Sequence, residues 1–339
     1  MTNSSLVSNI YEDADSALYD DFFNSSMYNP EWIHELIFNY HFILIVAFII
    51  FIFAFLTCLF GIVGNGVVIW LLGFCMKRNP FTTYILNLAI ADIGVLICSI
   101  LGSIIISIAL CSDMHPFSPL GFYIFACAYS LLYITDQLLL TAISVDRCVA
   151  VLFPVWHRCH RPPRLSGIVC VFIWVLSFLL SGSDMLLTLA NQSMLLEFVV
   201  NVAICTPLMA VSTVVLFVKI CTKSQQRKRG KLLMVIFLAL FLFLMFGSPV
   251  NYCYVLTYYY ILDDTEGTSL FHVRMIIIPA MAAFACTVLN CSVNPLIYFL
   301  VGRKKKGRFR LSMKVAFQRV FKEEENCRGQ EGLQAETEF

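Results

Sequence analysis

Five polar side chains stand inside segments that are otherwise apolar: Asn65, Asp92, Asp136, Asn290 and Asn294. A charged group in a bilayer span costs about 2.5–3.5 kcal/mol on insertion scales, so each carboxylate there needs a compensating partner. At 1.5 Å of rise per residue, Asn65, Asp92, Asp136 and Asn290 fall roughly 15–16 Å from one end of their segments, and Asn294 about 10 Å. Four segments therefore deliver amides and carboxylates to nearly one level, which points to one buried polar cluster. Two carboxylates so placed cannot both stay ionised cheaply. Either one holds a proton or a cation sits between them. Oxygen ligands suit a hard ion, here Na+, with Asp92, Asp136 and Asn290 as its candidate ligands. The plainer alternative is hydrogen-bonded glue between helices with no ion.

Two other constellations carry chemistry. Asp146-Arg147-Cys148 ends an apolar segment beside water. A carboxylate next to a guanidinium can pair, and the pair can break when helices move. At the opposite ends of the segments, Asp184 and Glu197 flank one short loop, and Tyr129 and Tyr133 share a helical stripe. Tyr252 stands in a cluster of tyrosines at 252–260. Acids among aromatic rings suit a cationic ligand, although tyrosines also form interfacial belts.

These residues must be held by membrane-spanning helices. The 339-residue chain is 59% hydrophobic and only 13% charged, with mean hydropathy +0.81. A soluble domain carries about 25% charged residues. Of its 23 Lys and Arg, all but Arg274 fall in four clusters: Lys77–Arg78, Arg147 to Arg164, Lys219 to Lys231, and Arg303 to Arg328. The intervals between clusters are each long enough for two crossings at about 20 residues per span. Basic residues concentrate on the cytoplasmic side. Seven spans with an outer N-terminus follow: 44–75, 82–108, 119–148, 166–186, 194–221, 231–261 and 269–301. All are expected to be helices, because a lipid-exposed span must satisfy its own backbone. The fold class is thus an all-α membrane protein, a seven-transmembrane helix bundle in the domain 44–301.

Residues 1–43 are expected to form an extracellular tail, acidic and without a cleavable signal, so that the first span directs insertion. Acceptor sequons for glycosylation stand at Asn3, Asn24 and Asn191, all outward in this topology. The sequon at Asn290 lies within a span and is discounted. Residues 302–339 hold an amphipathic helix over Arg303–Phe321, basic face toward anionic inner-leaflet lipid, followed by a polar tail. Cys327 beyond it is a weak palmitoylation candidate. Pro207, Pro249, Pro279 and Pro295 mark bends in the fifth, sixth and seventh spans.

Gly64-Asn65, Asn87-Leu-Ala-Ile-Ala-Asp92, Asp146-Arg147-Cys148, Trp174, Pro207, Pro249 and Asn294-Pro295-Leu-Ile-Tyr298 occur in the order found in rhodopsin-like G-protein-coupled receptors. The chain resembles that family over about residues 60–321. It is most similar to the Mas-related subfamily, through Arg78-Asn79-Pro80-Phe81, Thr141-Ala-Ile-Ser144, Val151-Leu-Phe-Pro-Val-Trp156 and His157-Arg-Cys-His-Arg-Pro162. The resemblance implies a plasma-membrane receptor for an extracellular peptide or cationic ligand, with a Gq or Gi heterotrimer as partner. It assigns Asp146, Arg147, Cys148, Pro249, Asn294, Pro295 and Tyr298 to coupling and the activation switch. It matches Asp92 with Asn290 to a sodium site.

Departures accompany the resemblance. Phe122 stands where the family's bridging Cys is expected, and the segment Ser181 to Val199 has no Cys. Gly247 replaces the Trp expected two residues before Pro249, and Asp136 replaces a Ser.

Other function classes fit less well. No Lys lies between Lys231 and Lys304, which excludes an opsin-type Schiff base in the seventh span. A transporter or channel using Asp92 and Asp136 as a cation or proton relay is the main alternative, but no inverted repeat supports it. Cys148, His157, Cys159 and His160 lack zinc-ligand spacing. No motif for hydrolysis, phosphoryl transfer or nucleic-acid binding appears, so neither an enzyme nor a resident organic cofactor is expected.

Overall fold

The computed structural model describes residues 30–76, 79–111, 119–162, 164–190, 199–222 and 270–302, with residues 237–238, 241–242 and 245 of the expected sixth span. The described elements are helical throughout. They are α1 (Pro30–Trp70), α2 (Pro80–Cys111), α3 (Pro119–Leu152), a short α4 (Pro154–Cys159), α5 (Leu165–Leu189), α6 (Thr206–Thr222) and α7 (Leu270–Gly302). Six helices are long and apolar enough to cross a membrane. They correspond to the first to fifth and seventh expected spans. Glu197, Tyr252, Pro249, the sequons at Asn3, Asn24 and Asn191 and the amphipathic helix lie outside the described residues.

The outward surface explains why these helices need a bilayer. Phe48, Phe74, Phe172 and Phe178 are each more than 60% exposed. In water such a surface would aggregate; in lipid it costs nothing. The core lies inside the ring of helices. Leu71, Leu72, Phe81, Leu88, Leu139, Met209 and Tyr298 pack as one buried cluster near the end that carries Arg147. A second cluster, with Ala54, Val95, Leu96, Tyr133 and Val288, fills the other half.

Helix α3 is central: it packs against α2, α5 and α6, while α1 packs against α2 and α7. Small residues permit the close contacts. A Cβ added to Gly61 would meet Ser292 Oγ and approach Leu96 Cδ1 at 2.7 Å. One added to Gly64 would lie 3.1 Å from Pro295 Cβ. Polar pairs fix neighbouring helices. Trp174 Nε1 on α5 donates to Asn87 Oδ1 on α2 at 3.1 Å, and Ser181 Oγ on α5 donates to the Cys127 carbonyl on α3 at 2.6 Å. Phe237, in the sixth segment, meets Phe217 of α6 with ring centroids 5.5 Å apart.

Three local features depart from the expected elements. The chain is helical from Pro30, well inside the expected 1–43 tail. The apolar span within it begins at Ile45, close to the expected residue 44, and the helix continues beyond that span to Pro30. A π-helical turn, Leu71–Cys75, ends the first span before Met76 turns extended. Another π turn, Asn201–Cys205, precedes Pro207. The ring of a proline collides with the carbonyl four residues back, here Ala203, and the wider turn takes up that clash. Pro279 and Pro295 lie within α7.

Candidate functional site

Asp92 on α2 and Asp136 on α3 have no solvent exposure. A carboxylate oxygen of each, and the thiol of Cys291 on α7, lie within 4.8 Å of one another. Residues Asn290 and Asn294 are one helical turn apart on α7 and reach different carboxylates. Asn294 Nδ2 donates to Asp92 Oδ2 at 3.1 Å, and Asn290 Nδ2 lies 3.5 Å from Asp136 Oδ2. Gln137 Nε2 is also 3.5 Å from that oxygen. Asn65 Nδ2 on α1 donates to the Cys291 carbonyl at 2.9 Å. Both Oδ1 atoms are buried without a hydrogen-bond donor. The amide donors of three residues meet Oδ2 atoms, which leaves each carboxylate an oxygen without an amide donor, and the close approach of the two carboxylates fits a cation or a shared proton.

The five polar residues singled out in the sequence therefore meet in one place. Asn290 faces Asp136 rather than Asp92. Its spacing from Asn294 gives the reason, since one turn along α7 carries the amide from the α2 carboxylate to the α3 carboxylate.

At one end of the bundle, Asp146 is surrounded by cationic side chains. Its Oδ2 lies 3.2 Å from Arg147 Nη2, and its Oδ1 lies 2.6 Å from Arg161 Nη2 and 3.6 Å from His157 Nε2. The guanidinium carbon of Arg147 sits 4.1 Å above the Phe81 ring centroid. Arg147 is buried despite its charge, held by the carboxylate and the aromatic face together. Cys148, the next residue, is a half-buried free thiol. Tyr298 is buried in the cluster that also contains Phe81.

At the other end a cavity of about 410 Å3 opens between α3, α5 and α7. Tyr129 and Tyr133 line it with rings stacked 6.3 Å apart and nearly parallel. Asp184, 7% exposed, lines it from α5, beside Met185, and Phe284 and Thr287 close it from α7. The wall is apolar and aromatic with one buried acid, a composition suited to an amphiphile carrying a positive charge. Tyr133 and Thr287 stand one helical turn from Asp136 and Asn290 respectively, so the cavity floor lies directly above the carboxylate pair.

Cys127, which lines the cavity, is a free thiol against Ser181, and the ten cysteines whose side chains are described are unpaired. Phe122, at the position of the missing bridging Cys, is 59% exposed.

Several participants escape sequence reasoning. Phe81 carries no polar signal; only its adjacency to a conspicuous Asn-Pro pair marks it. Cys291 reads as an ordinary small hydrophobe. Arg161 sits in a run of basic residues whose simplest reading is positive-inside charge.

The family described as seven transmembrane receptor, rhodopsin family, matches residues 64–222. The rat proto-oncogene Mas protein is 39% identical over 285 residues, covering 80% of this chain and 83% of that protein. Human proto-oncogene Mas is 37% identical, covering 80% and 82%. The mouse Mas-related G-protein coupled receptor member H is 34% identical, covering 80% and 83%.

Proposed function

The chain belongs to the rhodopsin family of seven-transmembrane receptors, in its Mas-related branch, and on that premise we propose that it binds a cationic peptide or amphiphile from outside the cell and activates a Gq or Gi heterotrimer. The observation that carries the ligand class is the buried Asp184 set among stacked tyrosines in an otherwise apolar cavity. A cation there exchanges water for a carboxylate and for ring faces, and its apolar body covers the remaining wall. Glu197 and Tyr252 are further ligand contacts in this reading.

The membrane-buried pair Asp92 and Asp136, with Asn290, would hold Na+ between ligand cavity and coupling end. Bound there, the ion would supply the charge that lets both carboxylates stay ionised, so that α2, α3 and α7 stay together. An agonist that favours the alternative packing binds more weakly when the ion is present, as linkage requires.

Coupling places Arg147 in the opening that appears when the sixth span moves outward, with Tyr298 supporting that open state. Asn294, Pro295 and Pro249 allow the bends, and Asp146 and Cys148 flank Arg147. The end carrying Arg147 faces the cytoplasm of the plasma membrane, where the basic clusters also meet anionic lipid. The N-terminus, with Asn3 and Asn24, and the loop after the fourth span, with Asn191, face outside, and these three asparagines are the glycosylation acceptors.

The test is a screen of basic peptides and amines on cells expressing the receptor, read by intracellular calcium and by cAMP. A calcium rise assigns Gq and a fall in cAMP assigns Gi. Responses restricted to neutral or acidic ligands would overturn the ligand class.

A further inference from the structure

Asp146 offers two oxygens, and two arginines share them. Arg161 Nη2 takes Oδ1 at 2.6 Å, while Arg147 Nη2 approaches Oδ2 at 3.2 Å. Both arginine side chains are 5% exposed and the carboxylate 9%, so little water screens either contact. Arg161 is itself anchored, because its Nη2 also donates to Ser166 Oγ at 2.8 Å. Ser166 is buried in the first turn of α5. Arg161 thus ties the end of α3 to the start of α5.

A carboxylate holds a guanidinium best through a two-pronged fork. With Arg161 on Oδ1, Arg147 is denied that fork. It keeps the longer contact and rests over the Phe81 ring. We propose that Arg161 is a positioning residue for G-protein coupling: it competes with Arg147 for Asp146 and so sets how readily Arg147 leaves that carboxylate. This role rests on the receptor reading above. It assigns the segment between α4 and α5 a part in setting basal activity that its sequence, a run of positive charge, does not announce.

Removing Arg161 leaves Oδ1 only the longer 3.6 Å approach of His157 Nε2, so that Arg147 can engage both Asp146 oxygens and is held more tightly. In full-length receptor reconstituted in lipid discs with purified heterotrimer, Arg161→Ala is expected to lower ligand-free nucleotide exchange roughly fivefold or more. Arg161→Lys, which keeps a cation on Oδ1, is expected to retain most of the wild-type rate. In an Asp146→Asn background, Arg161→Ala is expected to change nothing further. The melting midpoint of each variant separates this from a folding defect, since loss of the Ser166 contact lowers it in both backgrounds. Unchanged or raised ligand-free exchange in Arg161→Ala would overturn the proposal, as would an equal fold-change in the Asp146→Asn background. Failure of the wild-type receptor to drive any exchange would instead overturn the receptor reading itself.

Discussion

Asp92 on α2 and Asp136 on α3 present carboxylate oxygens within 4.8 Å of each other, and neither side chain has any solvent exposure. Two buried like charges at that separation require a counter-ion or a proton. With Na+ between them, the folded receptor is stabilised by the ion's mass action, about 2.7 kcal/mol at a hundred times its dissociation constant. Purified receptor should therefore melt at a higher temperature in sodium chloride than in choline chloride at equal ionic strength. Asp136→Asn should flatten that dependence. A sodium-independent melting midpoint in the wild type would leave the shared proton as the answer. Agonist affinity provides a second readout and should fall as sodium rises.

Asp184 should discriminate by charge. Asp184→Asn keeps the volume of the side chain and removes its charge. Affinity for a cationic amphiphile is expected to drop about tenfold or more, equivalent to roughly 1.4 kcal/mol. Affinity for a neutral ligand of the same cavity should change little. Competition binding with one ligand of each kind decides the matter, and equal losses would argue against a charge contact.

The α2–α5 contact is a test of packing rather than of signalling. Trp174→Phe removes the hydrogen bond to Asn87 while keeping most of the ring. Interhelical hydrogen bonds in membranes average about 0.6 kcal/mol and reach about 1.7 kcal/mol. The loss of unfolding free energy should lie in that range and show as a lower melting midpoint, and Asn87→Ala in the same background should add less than it does alone.

Two glycines predict opposite tolerance. At Gly61 an added methyl runs into Ser292, a short side chain that donates to the Thr57 carbonyl at 3.1 Å. At Gly94 it meets Leu132 Cδ2 at 2.6 Å, the far end of a side chain that can rotate away. Overpacking costs about 1–3 kcal/mol where neighbours cannot yield. Gly61→Ala should therefore lower stability clearly more than Gly94→Ala, measured by thermal unfolding in the same detergent.

The sequence makes some of this architecture legible and hides the rest for physical reasons. A charge inside an apolar span is conspicuous, and a rise of 1.5 Å per residue places it in depth, so the convergence of Asn65, Asp92, Asp136, Asn290 and Asn294 is readable. Depth alone carries no azimuth, and the division of the two amides between the two carboxylates needs the helix packing. The start of the first span is readable, at 44 against Ile45, whereas the helix itself runs on to Pro30 because leaving lipid does not by itself end a helix. The π turn before Pro207 replaces a simple kink, since a widened turn and a bend relieve the same clash. Arg161 and Phe81 matter only through what they touch, and the sequence separates each from its partner: Arg161 by a loop from Asp146, Phe81 by two spans from Arg147.

Arg147 is the residue on which the receptor account turns, buried between Asp146 and Phe81 at the end of α3. The most direct test measures agonist-driven nucleotide exchange on the heterotrimer for Arg147→Ala, with surface expression and ligand binding followed in parallel. The account predicts that exchange is abolished while expression and binding persist. Exchange at the wild-type rate would contradict it.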